Sequence, residues 1–452
     1  MNFHIIAVSC LFSGVLLALS IWRDYRSRRD LLNVKNLVVL HVALINSFQP
    51  IVSLLLSDFR FVDLVNESRV GTVVYAGFIT LLGTLALVIG LHRPGSSCAQ
   101  PPVPTARSVS LAAAPLGAFI AVLYCAGCLS SLYLLTNTTV EGAGYAERVS
   151  DFRFGAASFQ GVTFSSKLIY TMGTLGFFYI LVMLLVLHRT IKLSGGRNRW
   201  WLLLVAATCP LFTLVSGFRG PFLLGAIVLI IYVNKCVWKL RNAITLFCLA
   251  VLVCGVAIFG PLRENIERKS SVLGSINVFD AINAQVINRT RGVETLVATI
   301  EANEAGVVER RYFGDSIYEL VTLPVPRNLV DWKPTPVSFR FGAEVFGAYL
   351  FQRDGVVSEA TNGLSAPLFA FAFWEAGLPG VVLLPFLFGL LLRKYDQLFY
   401  KNTGSCIALG VSLAIVPALL AAPEHPQVAV NTAEIALLAV GLPLLAFRYW
   451  PR

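Results

Sequence analysis

The chain has 452 residues, 56% of them hydrophobic and only 13% charged, with a mean hydropathy of +0.72. That apolar share lies far above a soluble domain's, and runs of about 20 apolar residues, enough to span a bilayer, recur from end to end. The net charge of +11 accompanies no basic patch with interleaved aromatics, so no nucleic acid is expected as a partner.

The first run, MNFHIIAVSCLFSGVLLALSIW, has no Lys or Arg ahead of it; Arg23, Arg26, Arg28 and Arg29 follow it. That order predicts an uncleaved first span with its N-terminus outside. Hydropathy predicts about eleven spans: 3–22, 36–57, 71–92, 109–135, 166–188, 200–216, 220–234, 243–260, 365–392, 404–422 and 432–447. Alternate connections carry nineteen Lys and Arg residues, from Arg23 to Arg452. The other short ones hold only Arg60, Arg69, Arg148, Arg153, Lys167 and Arg219. The basic set marks the cytoplasm. The expected fold is therefore an all-α polytopic membrane protein with a periplasmic N-terminus and a cytoplasmic C-terminus. Residues 1–260 form transmembrane helices 1–8, 261–364 one large periplasmic loop with short helices, and 365–452 transmembrane helices 9–11.

Two features in the first half draw attention. Cys125 and Cys128 form a CAGC spacing inside an apolar run, where small packing residues are commoner than redox or zinc chemistry. From Trp200 to Asn234 the sole ionisable residue is Arg219, in VSGFRGPFLLGA. At a bilayer centre an arginine costs about 2.5–3.5 kcal/mol on insertion scales. Parity instead places SGFRG at the outer end of two short spans, with Gly217 and Gly220 turning the chain and Pro221 in the next helix's first turn. Its plainer reading is a snorkelling anchor; its sharper one is diphosphate recognition.

The long outer segment opens with VFDAINAQVINRTRGVETLVATIEA. Phe279, Ile282, Val286, Val293, Val297 and Ile300 recur at helical steps, which predicts an amphipathic helix on the outer leaflet or capping the bundle. Arg291 and Glu294 fall on its exposed side and can pair. Next, Pro324, Pro326, Pro334 and Pro336 stiffen a loop that holds Arg327 and Lys333 beside Trp332, flanked by Arg311, Arg340 and Glu344. Cations so fixed near a membrane suit a diphosphate head group; an ordinary polar loop meeting lipid head groups is the plainer reading. Glu375 enters the next span, where a carboxylate is costly. It either accepts a proton or partners Arg219 or another buried arginine. His425, beside Glu424 on a later outer turn, is a further candidate base.

No GxxxxGK[ST] loop, DxD pair, HExxH or GxSxG occurs. Neither nucleotide nor metal chemistry is expected, and no cofactor.

The order of these features resembles the bacterial O-antigen and exopolysaccharide repeat-unit polymerases, the Wzy type. The likeness runs through SGFRG, INRTRGVETL, RYFGDSIYEL, LPVPRNLVDWKP and NGLSAPLFAFAFWEAGLPGVV, over roughly residues 200 to 395. Glu375 departs from it, since many members carry a neutral polar residue there. The resemblance implies a glycosyltransferase of the bacterial inner membrane that polymerises undecaprenyl-diphosphate-linked oligosaccharide repeat units on the periplasmic face. It implies contact with the lipid bilayer, and a chain-length regulator and a repeat-unit flippase as partners. Arg219, Arg291, Arg311, Arg327, Lys333 and Arg340 would stabilise charge on the diphosphate. Glu294, Glu344, Glu375 or His425 would deprotonate the acceptor hydroxyl. An O-antigen ligase and a permease or flippase are the competing readings. The loop 261–364 lacks histidine, unlike the ligases with their outer-loop histidine. A permease is expected to distribute polar residues over several spans.

Overall fold

A computed structural model of the protein describes residues 2–28, 31, 33–55, 70–92, 112–136, 176–194, 200–215, 219–238, 244, 292–308, 310, 312–322, 337, 340–345, 366–401, 405–424 and 426–449. Among the described residues the chain is nearly all helical, with no strand. In chain order the helices are α1 (Asn2–Arg28), α2 (Val34–Ala43), α3 (Gln49–Leu55), α4 (Val70–His92), α5 (Ala113–Thr136), α6 (Phe177–Leu193) and α7 (Trp200–Val215). They continue as α8 (Arg219–Tyr232), α9 (Gly292–Glu304), α10 (Gly314–Thr322), α11 (Leu368–Lys401), α12 (Cys406–Ala421), α13 (Pro426–Ala436) and α14 (Leu442–Arg448). Among the described residues, six helical stretches are long and apolar enough to cross a membrane: Ile6–Ser27, Val34–Val52, Val70–His92, Ala113–Ser130, Gly220–Val237 and Leu368–Phe399. Trp200–Thr213 and Cys406–Ala421 are shorter apolar helices. The protein is thus a multi-pass membrane protein. The expected span 243–260, apart from residue 244, lies outside the described residues.

Two compact units divide the chain. Unit 1 is Met1–Ala99, Ile287–Gln397 and Pro417–Ala433; unit 2 is Gln100–Val286, Leu398–Val416 and Glu434–Arg452.

In unit 1, α1 packs along α4, and where they pass, a Cβ on Gly77 would crowd Ser9. Asn33 caps α2 through its side chain, which accepts the Asn36 N–H at 2.6 Å. It also donates to Asp24 at 2.8 Å, and Asp24 holds Lys35 at 2.5 Å. Both ions of this pair are buried, a tolerable arrangement only with such added hydrogen bonds. A π-helical turn, Leu44–Phe48, links α2 to α3. Against it lies Gly292, the first residue of α9, so close that a Cβ there would overlap Ile45.

That contact bears on the expected amphipathic helix, on the outer leaflet or capping the bundle. Its described part, α9, is not a surface helix with a single apolar stripe. Gly292, Val293, Thr295, Leu296, Val297, Ala298, Thr299 and Ile300 are all buried, and they occupy most of the helix circumference. Val293, Leu296, Val297 and Ile300 share a core with Ile6 and Cys10 of α1, with Val73, Ala76 and Ile79 of α4, and with Ala370–Trp374 of α11. Thr295 is buried too, and Thr299 returns its hydroxyl to the Thr295 carbonyl at 2.6 Å, which is how a small polar residue joins an apolar core.

The second correction concerns the expected single span 365–392. The α11 helix breaks at Gly377, whose φ of 63° and ψ of −146° lie in a region open essentially to glycine alone. The chain then turns back sharply: a Cβ on Gly380 would overlap the Ala372 carbonyl, a pair that an unbroken helix holds about 12 Å apart. The sequence GLPG explains the turn. Gly377 takes the backbone angle, Pro379 removes a donor, and Gly380 permits the close approach. Before the break, Phe373 meets Tyr75 edge-on at 5.9 Å and Phe369 packs on Gly83. After it, Gly389 crosses Gly90 in near backbone contact.

Unit 2 is built differently. Its α6 is buried along nearly its whole length and packs against α5, α7 and α8. Pro210 lies within α7, and Gly225 of α8 fits beside its ring, with an added Cβ 3.2 Å from the proline. Phe177 stacks on Phe212 at 5.0 Å, with Tyr124 edge-on to both. A half-open cavity of about 550 Å³ lies among α5, α6 and α7, lined by residues such as Ala121, Tyr124, Leu184 and Trp201.

Candidate functional site

The candidate site grows from Glu375, the one carboxylate in the first arm of α11. It is 1% exposed, so its oxygens need donors. Oε2 accepts the Phe313 N–H at 2.8 Å, and Oε1 accepts the Ser316 hydroxyl. Both donors belong to the start of α10, so the carboxylate caps that helix from outside and meets its positive end. The Glu375 carbonyl accepts the Tyr312 N–H at 3.0 Å. In a continuous helix the donor to that carbonyl would be residue 379, which is Pro379 and has none. Tyr312 fills the vacancy that the proline creates.

The turn so held is strained. Tyr312 and Phe313 have φ of 49° and 64°, costly for aromatic residues at about 1–3 kcal/mol each. Two hydrogen bonds to Glu375 and the packing of Phe313 against the core hold them in place.

Around this hinge stand further charged groups. Trp374 donates its indole N–H to Glu344 at 2.8 Å and meets Phe341 edge-on at 5.5 Å. Arg340, one helical turn before Glu344, has its Nε and Nη2 atoms buried. Glu319, 4% exposed, accepts the Val337 N–H at 2.7 Å.

Arg310 sits at the Gly377 break. Its Nε and Nη2 donate to Asn303 Oδ1 at 3.3 and 3.2 Å, and its Cζ lies 5.6 Å from the Phe373 ring centre. A side chain at Gly377 would overlap its guanidinium. The end of α9 sets this position. Gly306, at φ 71°, closes the helix with Val307 N–H to Ala302 O at 3.0 Å and Gly306 N–H to Asn303 O at 3.1 Å, the bond pair of a Schellman motif. Asn303 thus has its backbone fixed and its side chain turned to Arg310.

Of the residues singled out in sequence, Glu344, Glu375 and Arg340 come together here through Trp374 and Phe341. Glu294 lies in the first turn of α9 and is partly buried. Arg219 begins α8 in unit 2. Next to it Gly220 is exposed, with nothing near enough to meet an added Cβ, so packing does not require glycine there. Arg291, Arg311, Arg327, Lys333 and His425 lie outside the described residues. The neighbour of His425, Glu424, is 3.1 Å from Nε2 of His41, whose Nδ1 donates to the Leu420 carbonyl at 2.7 Å. A carbonyl only accepts, so Nδ1 is the donor in that bond, and Nε2 faces the carboxylate.

Sequence reasoning missed Arg310, Asn303, Glu319, Ser316 and His41. Nothing local separates Arg310 from Arg311 in ERRYFG; the contact that distinguishes it spans 67 positions to Gly377. Among the described residues no three His, Cys, Asp or Glu side chains form a group able to hold a metal ion.

No family model matches this chain, and neither a curated protein nor a solved structure matches it.

Proposed function

We propose that the protein is a membrane glycosyltransferase that polymerises undecaprenyl-diphosphate-linked repeat units into O-antigen or exopolysaccharide. It works in a bacterial inner membrane through about eleven spans, with a periplasmic N-terminus and a cytoplasmic C-terminus. One observation carries the reading. Three of the sequence segments that carry the family likeness, separated by up to about 80 positions, contribute to a single core: Val293 and Leu296, Phe313, and Ala366 to Val381.

In the reaction, the acceptor hydroxyl oxygen bonds to the anomeric carbon of the growing glycan. The carbon–oxygen bond to the diphosphate breaks, and the lipid diphosphate departs with the electron pair. The hydroxyl proton passes to a protein base. Arg219, Arg291, Arg311, Arg327, Lys333 and Arg340 stabilise the charge on the leaving group. Glu294, Glu344, Glu375 and His425 are the candidate bases. Glu375 already accepts from Phe313 and Ser316, which favours a positioning role for it. The activated bond arrives with the lipid, so no cofactor enters.

Arg219→Ala in the native host is expected to leave single-repeat glycans and abolish long chains on a gel of surface polysaccharide. Unaltered chain length with well-expressed Arg219→Ala protein would remove Arg219 from the chemistry.

The broken α11 with its buried Glu375, and the His41–Glu424 pair between short helices, favour a permease as the second reading. A permease would lose solute movement on Glu424→Gln while any glycan kept its length distribution.

A further inference from the structure

Arg310 is held from three directions: by Asn303 Oδ1, by the face of Phe373, and by the bare backbone of Gly377. Its remaining side is exposed. Among the described residues no carboxylate lies within ion-pair distance of it; Glu304, the residue after Asn303, instead accepts from Thr72 at 3.4 Å. An arginine oriented in this way, with no carboxylate partner among the described residues, presents a permanently charged planar fork, and phosphate oxygens match that fork.

A second observation concerns the helix that follows the Arg310 turn. This helix, α10, is inverted. Among its described side chains Ser316, Glu319 and Thr322 are buried, while Ile317, Tyr318 and Val321 are 57%, 44% and 71% exposed, with Tyr312 at 70%. A helix with polar groups inward and an apolar ridge outward is stable against hydrocarbon and not against water. Tyrosines at the edge of such a ridge match the headgroup level of a bilayer.

We infer that Arg310 binds the phosphate of a lipid reaching it from the bilayer, beside an Ile317–Val321 ridge set in the leaflet. The inference rests on the polymerase reading for the lipid's identity, which is then the lipid-linked diphosphate substrate. Asn303 is a positioning residue that turns the guanidinium, and Gly377 leaves room for it.

The test uses the full-length protein in phosphatidylcholine nanodiscs, titrated by tryptophan fluorescence with undecaprenyl diphosphate and, separately, with inorganic diphosphate. A third arm uses discs containing phosphatidylglycerol. Arg310→Gln is expected to weaken undecaprenyl diphosphate binding about tenfold or more, the scale of a lost charge-assisted contact. Asn303→Ala should weaken it about two- to fivefold, since the charge stays and only its aim is lost. Ile317→Ser with Val321→Ser should weaken the lipid-borne diphosphate and leave inorganic diphosphate unchanged. An equal loss of phosphatidylglycerol response in Arg310→Gln would move the site to phospholipid and overturn the substrate assignment. Unchanged affinity for all three probes, in protein with an unaltered melting temperature, would overturn the site itself. Binding is read without turnover, so a protein that binds through Arg310 yet never polymerises removes only the polymerase reading.

Discussion

Unit 1 and unit 2 solve the interior of a membrane protein in opposite ways. The described core of unit 2 is apolar along α6, with His188 bonded to the Tyr232 hydroxyl at 2.7 Å as its buried polar pair and a 550 Å³ cavity beside it. Unit 1 buries Asp24, Lys35, Asn46, Gln49, Glu319 and Glu375, and it contains a helix broken at Gly377. Charged side chains at membrane depth are costly and occur where they serve a purpose. Under the proposed function, the candidate bases Glu294, Glu344 and Glu375 belong to unit 1, Arg219 belongs to unit 2, and the apolar helix α6 of unit 2 has a framing role.

Perturbing Glu375 should separate the units most. Glu375→Ala leaves the Phe313 N–H and the Ser316 hydroxyl without their acceptor, at about 1–3 kcal/mol for each buried group. It also releases the strained Tyr312–Phe313 turn, so we expect a loss of about 3 kcal/mol or more, read as thermal unfolding in detergent. Glu375→Gln keeps one acceptor oxygen and should lose about half as much. A Glu375→Ala protein as stable as the parent would show that the carboxylate does not hold α10.

Gly377→Ala comes next. The residue would be forced to positive φ and driven into the Arg310 guanidinium, at a cost of about 1–3 kcal/mol for the backbone alone. Both stability and Arg310-dependent diphosphate binding should fall.

Smaller still is Tyr232→Phe in unit 2. It strands a buried histidine nitrogen at about 1–2 kcal/mol, and surface glycan length should stay normal once expression is matched. Shortened chains at matched expression would contradict the framing role.

The smallest effect is expected at Gly220, in the first turn of α8. Alanine there meets open space and should change stability by under about 1 kcal/mol, in the stabilising direction. A collapse of chain length in Gly220→Ala, with stability intact, would mean that a ligand approaches the backbone beside Arg219.

Much of the helical layout was legible from hydropathy, because membrane helices announce themselves by length and composition alone. The kink at Gly377 was also written locally, in GLPG, but its consequence was not. A periodicity argument reads the run from Leu368 onward as one span, since both arms are apolar. The burial of α9 was hidden for a related reason. Thr295, Thr299 and Gly292 look solvent-facing on a helical wheel; only the close approach to the π-helical turn at Ile45 and the threonine bond back to its own helix admit them to a core. At the site, Glu375 stood out as a carboxylate entering an apolar span, and Arg340 and Glu344 as charges flanking a proline-stiffened loop. Arg310 and His41 did not, because what sets them apart is a partner far away in sequence: Gly377 for the first and Glu424 for the second.

The central claim is transfer of a glycan between two lipid-linked repeat units. Its most direct test is the purified full-length chain in nanodiscs, supplied only with undecaprenyl-diphosphate-linked repeat units and analysed by mass spectrometry. A ladder of lipid-linked products rising by one repeat at a time, with one undecaprenyl diphosphate released per step, is the predicted result. Repeat units that remain single, while the same discs move an added solute or the lipid-linked unit itself across the bilayer, would contradict it.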